Sequence, residues 1–190
     1  MTQLLNQRKG DIYENLANVR FSLENFGHEK EFIWAPRGFG SWIEAAHKTI
    51  QNYNSMIDYD DTVYILGDCM LRNDKFGLTC LRQLKGNKYL AYGNHDTDAR
   101  IELYKDAQIF KDIQMGYRFK EQGISFWATH YPMKMGNYHE RHPVWNLSGH
   151  THKPDIINKE DCIYNVALDA HNNYPVPLEQ IINDIKTSKD

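Results

Sequence analysis

The hydrophobic pattern in the first half of the chain alternates short apolar runs with segments of helical character. Between residues 41 and 54 apolar side chains recur at helical spacing, and Ser41 with Glu44 forms a capping box, so a helix is predicted there. Further apolar runs predict strands at 19–22, 63–66 and 88–92. Helices are predicted at 76–84 and 97–105. Strands that alternate with helices imply a mainly parallel sheet in this half.

The second half of the chain has a different pattern, in which short strand candidates follow one another with turns between them. These candidates lie at 113–115, 117–120, 124–128, 145–147 and 163–168. The Glu-Gln-Gly segment at 121–123 has the composition of a hairpin connection, and a helix is predicted at 178–185. We therefore expect an α/β fold whose later part is rich in strands.

The length and composition of the chain predict one folded domain. With 190 residues, of which 41% are hydrophobic and 13% aromatic, the chain is long enough for one well-filled core. We expect a polar N-terminal extension over residues 1–18 and a single domain over residues 19–190. The three cysteines are an odd number without CxxC spacing, which favours reduced thiols over disulfides or a zinc site.

The charge of the chain argues against dedicated binding of nucleic acid or of a membrane surface. The formal net charge is -3, and the sequence contains no long run of Lys and Arg. No stretch approaches the roughly 20 apolar residues of a membrane-spanning helix. Residues 1–10 are polar and do not resemble a secretory signal. We therefore expect a cytoplasmic protein, for which a nucleotide is still allowed as a small substrate.

Four polar segments directly follow strand-like runs, and together they offer ligands for a metal ion. They are Gly-Asp at 67–68, Gly-Asn-His-Asp at 93–96, Thr-His-Tyr-Pro at 129–132 and Gly-His-Thr-His at 149–152. Ligands of open α/β folds collect at the carboxyl ends of strands. Taken singly, each segment has a structural alternative as a turn, a helix cap or a hydrogen-bonded histidine. The joint pattern favours a metal site.

The types of these side chains define a class of metal and of reaction. One carboxylate, one amide and two imidazoles suit a divalent transition metal such as Mn, Fe or Zn; they belong to Asp68, Asn94, His130 and His150. His152 can reach a second metal if Asp68 bridges both. Paired metals about 3.5 to 4 Å apart promote displacement at phosphorus. His95 would then face the reaction centre as a general acid or as a charge partner.

In their order along the chain, these segments resemble those of the calcineurin-like metallophosphoesterases, particularly the small bacterial and phage members. The resemblance extends to residues 26–28, 37–39, 61–68 and 169–176, and covers roughly residues 19–186. It implies a four-layer sandwich of two mixed β-sheets flanked by helices, a dinuclear centre for which we expect Mn, and hydrolysis of phosphomonoesters or phosphodiesters. By position, Asp68 would bridge the metals and His95 would be catalytic. The other implied ligands are Asn94, His130 and His150 at one metal and His152 at the other.

The first metal-binding motif of that family is altered in this chain. Its Asp-x-His should fall just before residues 26–28, where the sequence has Leu23 and Asn25. Leucine cannot bind a metal, and asparagine offers a neutral oxygen in place of an imidazole. Asn25 stays a candidate ligand, and Glu24 and His28 are speculative substitutes, although Glu24 needs a bulge or turn to reach the same face. We therefore expect a weakened first site and one or two bound ions.

Two further features have weaker links to a phosphoester site. His28 and His171 are candidate substrate-binding residues. The segment that contains His171 resembles a family segment that lines the substrate pocket, and an Asx-rich turn before Pro175 is an equal alternative. Residues 139–142 are a further candidate for contact with a phosphate, but a solvent-exposed loop is the preferred interpretation.

Two functions are compatible with these residues. The first is a metal-dependent hydrolase of phosphomonoester or phosphodiester bonds, which the presence of His95 favours. The alternative is a catalytically impaired protein of the same fold that binds a phosphate-containing ligand or a protein partner, which Leu23 and Asn25 favour. A small phosphoester is the expected substrate, and a homodimer is compatible with the sequence.

The altered motif generates a direct prediction. The double change Leu23→Asp with Asn25→His restores an anionic and an imidazole ligand, so it should raise both the bound Mn per chain and the turnover of a phosphoester. Metal analysis after Mn loading and a hydrolysis assay measure the two quantities. If both stay at the level of the parent protein, the position assigned to the first motif is wrong.

Overall fold

The computed structural model describes residues 18–22, 25–134 and 143–188, which fold around two five-stranded sheets. The first half contains β1 to β4 and α1 to α4. Their bounds are Val19–Ser22 (β1), Glu31–Trp34 (α1), Trp42–Met56 (α2), Thr62–Ile65 (β2), Asp74–Leu81 (α3), Asn87–Ala91 (β3), Asp98–Asp106 (α4) and Asp112–Gln114 (β4). The second half contains Gly116–Glu121 (β5), Ile124–Thr129 (β6), Val144–Ser148 (β7), Ile157–Asn158 (β8), Ile163–Asn165 (β9), Val176–Pro177 (β10) and Leu178–Thr187 (α5).

Both sheets are mixed. The first has the order β10-β1-β2-β3-β4, in which β1 to β4 are parallel and β10 pairs antiparallel with β1. The second has the order β5-β6-β7-β9-β8, with a parallel centre formed by β6, β7 and β9. The predicted α/β fold with two mixed sheets flanked by helices is confirmed, as is the parallel sheet predicted for the first half.

Aromatic side chains from both sheets fill the space between them. Phe21 of the first sheet stacks on Phe119 of the second, with ring centroids 5.8 Å apart. Phe21 also stacks on Tyr64 at 5.4 Å, and Phe119 stacks on Phe126 at 5.0 Å. Helix α5 completes this core with one apolar stripe of buried residues: Leu178, Ile181, Ile182 and Ile185. The two sheets are therefore held face to face.

Helices α2, α3 and α4 cover the opposite face of the first sheet. Successive residues of β2 point to opposite faces, so Tyr64 joins the core between the sheets while Val63 and Ile65 pack with the helices. The second core also contains Ile50, Tyr53, Leu81 and Tyr104. With both faces covered, the parallel strands keep only their ends near solvent, and this is where polar side chains gather.

Turn and cap chemistry fixes several element boundaries close to those predicted. Ser41 caps α2 by accepting a hydrogen bond from the Glu44 amide at 3.1 Å, while the Glu44 carboxylate accepts from the Gly40 amide. Asn73 accepts from the Phe76 amide and so begins α3 earlier than predicted. The predicted hairpin joins β5 to β6, with positive φ at residues 122 and 123 as such a turn requires.

The differences from prediction concern short helices and strands and the end of one strand. Helix α1 and strands β8 and β10 have too few residues for a hydrophobic period. Strand β9 ends at Asn165 rather than at residue 168, because Leu168–Ala170 forms a 3-10 helix. Cys69 and Cys80 are buried and Cys162 is half-buried, and these three residues form no disulfide bond with one another. Residues 1–17 of the predicted N-terminal extension lie outside the described residues.

Among the residues that the structure describes, the helices are all too short or too polar to cross a membrane.

Candidate metal centre

Strands from both sheets direct polar side chains to one place. Asp68 follows β2, Asn94 follows β3, His130 follows β6 and His150 follows β7. Ligand atoms of Asp68, His130 and His150 all lie within 4.8 Å of one another. The four segments that the sequence singled out therefore do converge, and a possible metal-binding group exists at their meeting point.

The hydrogen-bond acceptors in this group face one another. Nε2 of His130 lies 2.9 Å from Nδ1 of His150, 3.1 Å from the Asn94 side-chain oxygen and 3.4 Å from a carboxylate oxygen of Asp68. Nδ1 of His130 donates to the carbonyl of Leu66 at 2.8 Å, which in the neutral ring leaves the Nε2 lone pair directed at the group. This Nε2, the Asn94 oxygen and the Asp68 carboxylate are then all acceptors, which repel one another at these distances unless a proton or a cation lies among them. The donor set therefore fits a divalent transition metal.

The protonation of His150 also suits a metal ligand. Burial lowers the pKa of the His150 imidazole, and the neighbouring His130 lowers the pKa further. A neutral imidazole keeps a lone pair available for a metal. Burial, and after it the charge of His152, likewise lowers the pKa of His28. His130 thus disfavours a positive charge on His150, and His152 disfavours one on His28.

The backbone is left-handed at two of the ligand positions. Asp68 and His150 have φ values of 51° and 54°, in the left-handed region that residues with a Cβ rarely occupy. A Cβ on Gly93 would lie 2.5 Å from the Asp68 carboxylate and 2.7 Å from the His130 ring. Glycine at 93 is therefore required for the close approach of these ligands.

A buried carboxylate joins the loop after β2 to the loop after β3. Asp96, which is 3% exposed, accepts from the amides of Asp68 at 2.7 Å, Gly93 at 2.9 Å and Cys69 at 3.1 Å. The Tyr104 hydroxyl donates to it at 2.9 Å. Burial raises the pKa of Asp96, although the hydrogen bonds from Gly93, Tyr104 and Cys69 act in the opposite direction. Asp96 thereby fixes the position of Asp68 relative to the neighbouring loop.

Arg100 holds the segment that contains His95. Its guanidinium donates to the carbonyls of His95 at 2.7 Å and Met70 at 2.8 Å, and to the Asp74 carboxylate at 2.9 Å. The His95 amide donates to Asp68 at 2.9 Å. His95 therefore lies beside the metal-binding group with its backbone bonded on both sides and its side chain exposed.

His152 belongs to a neighbouring arrangement rather than to the group of three. Its Nδ1 lies 2.9 Å from Asp169, and its Nε2 lies 3.4 Å from the side-chain nitrogen of Asn25. Arg37 donates twice to Asp169, at 2.7 and 2.8 Å. Burial favours a raised pKa for Asp169, but the hydrogen bonds and charges of His152 and Arg37 outweigh it and hold the pKa well below its ordinary value. Ionised Asp169 thus orients the His152 ring towards Asn25.

The remaining predicted residues have other positions. Nε2 of His171 donates to the carbonyl of Asn165 at 2.7 Å, and the His171 ring stacks on the Tyr164 ring. One of its two ring nitrogens is therefore used in a structural hydrogen bond. The ring of His28 contacts that of Phe32. Roles for both histidines in substrate binding stay predictions. The altered positions Leu23 and Glu24, and the segment 139–142, lie outside the described residues.

Sequence reasoning assigned no role to three side chains that organise the site. Asp96 lies within a segment already singled out, and Arg37 and Asp169 lie within segments that carry the family resemblance. These positions were therefore detectable. Their roles were not, because Arg37 and Asp169 are 132 positions apart and only the folded chain brings them together.

Comparison with known proteins supports the fold. No family model matches the chain. An uncharacterized protein of Methanocaldococcus jannaschii is 28% identical over 173 residues, which cover 87% of this chain and 89% of that protein. The solved structure of a protein of unknown function from Aquifex aeolicus is similar, with a TM-score of 0.63 and 23% identity, over 87% of this chain and 97% of that one. At this identity the likeness concerns the fold alone.

Two solved phosphoesterases have a more distant likeness. A novel archaeal phosphodiesterase gives a TM-score of 0.47 at 19% identity and covers 78% of this chain and 82% of its own. The phosphoesterase YfcE of E. coli gives 0.44 at 15% identity and covers 78% of this chain and 77% of its own.

The Asp96 contacts predict a large loss of stability on substitution. Asp96→Ala removes the acceptor of three amides and one hydroxyl in a buried place, so it should lower the free energy of unfolding by about 3 kcal/mol or more. Asp98→Ala, which alters an exposed carboxylate at the start of α4, should cost less than about 1 kcal/mol. Urea unfolding measures both, and equal effects would exclude the proposed linking role.

Proposed function

We propose that this protein is a metal-dependent phosphoesterase that hydrolyses phosphomonoester or phosphodiester bonds, with a weakened first metal site. The single observation that carries the proposal is the convergence of acceptors from Asp68, Asn94 and His130, beside which lies His95. In the neutral ring of His130, the Nε2 lone pair, the Asn94 oxygen and the Asp68 carboxylate are all acceptors, and a cation among them accounts for their close approach. A phosphoester fits such a site because its anionic oxygens bind to a cation held by neutral and anionic protein ligands.

Each residue then has a distinct task. Asp68, Asn94, His130 and His150 hold the cation, for which we propose Mn, with Fe and Zn as the other suitable ions. When bound, a divalent ion polarises phosphoryl oxygens and lowers the pKa of bound water. His95 is a suitable proton donor to the leaving oxygen, because its backbone is held by Asp68 and Arg100 while its imidazole is exposed.

The first metal site would be formed by His152, Asn25 and shared Asp68. The carboxylate of Asp169 on Nδ1 leaves Nε2 of His152 available, which supports a ligand role. Asn25, however, directs its nitrogen at that Nε2, and the amide has to turn over before its oxygen can bind an ion. With Leu23 as the other altered position, we infer a first site of low affinity.

The contact between Asn25 and His152 also favours a second candidate function. If this hydrogen bond persists, the chain is a catalytically impaired protein with a metallophosphoesterase-like fold. It would then bind a phosphate-containing ligand or a protein partner and use at most one metal ion. Both candidate functions include an ion held by His130 and His150. They differ in whether the protein hydrolyses a phosphoester.

The metal site predicts an ion-dependent gain in thermal stability. Saturating Mn should raise the Tm of the wild-type protein, because an ion bound only by the folded state stabilises that state. His150→Ala should weaken Mn binding at least about tenfold. His47→Ala, on the exposed face of α2, is the matched control and should bind Mn as the wild type does. Calorimetric titration gives both affinities, and an unchanged affinity in His150→Ala would refute the site.

Turnover separates the two candidate functions. With Mn and a chromogenic monoester or diester, His95→Ala should reduce kcat by a factor on the order of 100 to 10,000 while Mn affinity is retained. The His47→Ala variant again serves as the control. Equal activity in His95→Ala would remove its catalytic role. A wild-type protein that binds Mn and hydrolyses neither ester would favour the impaired binding protein.

A further inference from the structure

An exposed aromatic ring stands at the edge of the proposed metal centre. Tyr131 follows His130 directly, and its ring centroid lies 4.8 Å from the centroids of both the His130 and the His150 rings. The interplanar angles are 77° and 62°, so the contacts are edge-on. The residue is 47% exposed, which leaves part of the ring open beside two ligands of the metal-binding group.

The backbone on both sides of this ring is fixed by a buried amide. Asn146 of β7 is 0% exposed, and its side chain donates to the Thr129 hydroxyl at 2.8 Å and accepts from the Met133 amide at 2.8 Å. Thr129 in turn donates to the carbonyl of Tyr131 at 2.8 Å. A buried amide is tolerated only when its hydrogen bonds are made, and here they hold the segment that carries Tyr131.

We propose that Tyr131 is an aromatic platform that selects phosphoesters bearing a planar aromatic group, such as a nucleoside or an aryl alcohol. This inference rests on the proposed function and specifies its substrate class. Because the exposed Tyr131 ring lies 4.8 Å from the rings of two proposed metal ligands, a phosphate bound at the metal centre would bring the group attached to it within reach of this ring. Stacking on a ring whose backbone is already fixed requires little further ordering of the protein.

A simpler role for Tyr131 is to support the two histidine rings. That role predicts that substitution weakens the binding of every phosphate compound alike, because the metal ligands would shift. The platform predicts a selective loss, confined to compounds with a planar group. The two roles therefore differ in a ratio of affinities, which is independent of turnover.

The test uses the full-length, Mn-loaded protein and two compounds that cannot be hydrolysed, phenylphosphonate and methylphosphonate. The wild type should bind phenylphosphonate at least about fivefold more tightly than methylphosphonate. Tyr131→Ala should reduce this ratio to about one and leave methylphosphonate affinity within about twofold, whereas Tyr131→Phe should keep the ratio. Tyr59→Ala alters a tyrosine that is 77% exposed and lies before β2, at the end of that strand opposite to Asp68, and should change neither affinity.

Each other outcome overturns the proposal in a recognisable way. Equal affinity of the wild type for both phosphonates, or a ratio that persists in Tyr131→Ala, would exclude the platform and leave the phosphoesterase intact. Parallel weakening of both compounds would assign Tyr131 to support of the histidines. A wild type that binds neither compound when loaded with Mn would contradict the proposed function and the platform together.

A second pair of compounds defines the aromatic group. Thymidine 5′-monophosphate and 2-deoxyribose 5-phosphate share the sugar and the phosphate and differ in the base, and the same variants are titrated with both under conditions in which neither is consumed. A nucleoside platform predicts tighter binding of the thymidine compound, and loss of that difference in Tyr131→Ala. Selectivity for phenylphosphonate without selectivity for the base would assign the site to smaller aryl groups.

Discussion

The carboxylate of Asp96 is the interaction on which the rest of the site depends. Two loops leave neighbouring parallel strands, and without a common partner their amides would separate or bind water. Asp96 accepts amides from both loops and the hydroxyl of Tyr104 from α4. A helix, two loops and the buried core below them thereby become one rigid unit, and Asp68 is presented from it.

The rigidity of this unit explains how the chain keeps unfavourable features together. Left-handed backbone at Asp68 and His150, and acceptors in mutual contact, each raise the free energy of the folded state. Such features persist where the surroundings determine them, and here the surroundings are two packed sheets whose parallel strands end at the same place. A cation at that place would offset the repulsion among the acceptors, so the cost of the arrangement is itself an argument for metal binding.

The two halves of the site have unequal support. His130 is oriented by the carbonyl of Leu66 and lies within reach of two further ligands. His152 is oriented equally well, by Asp169 and through it by Arg37, but the side chain that it faces is the Asn25 amide. His152 is therefore oriented as a metal ligand would be, while the group that its Nε2 faces is an amide nitrogen, which does not bind a metal ion.

The amino-acid sequence by itself determined helices α2 to α5, most of the strands and the residue types at the candidate metal centre. Helical spacing, capping side chains such as Ser41 and turn residues such as Gly123 act within a few positions, and therefore their effects are legible in a linear pattern. The strand-helix alternation also implied that Asp68 and Asn94 share one edge of a sheet. Only the tertiary structure decided the pairing of β10 with β1, the bond between Arg37 and Asp169, and the position of Tyr131 against His150. These contacts join residues far apart in the chain, and their formation depends on how the two sheets pack, a property that no local pattern encodes.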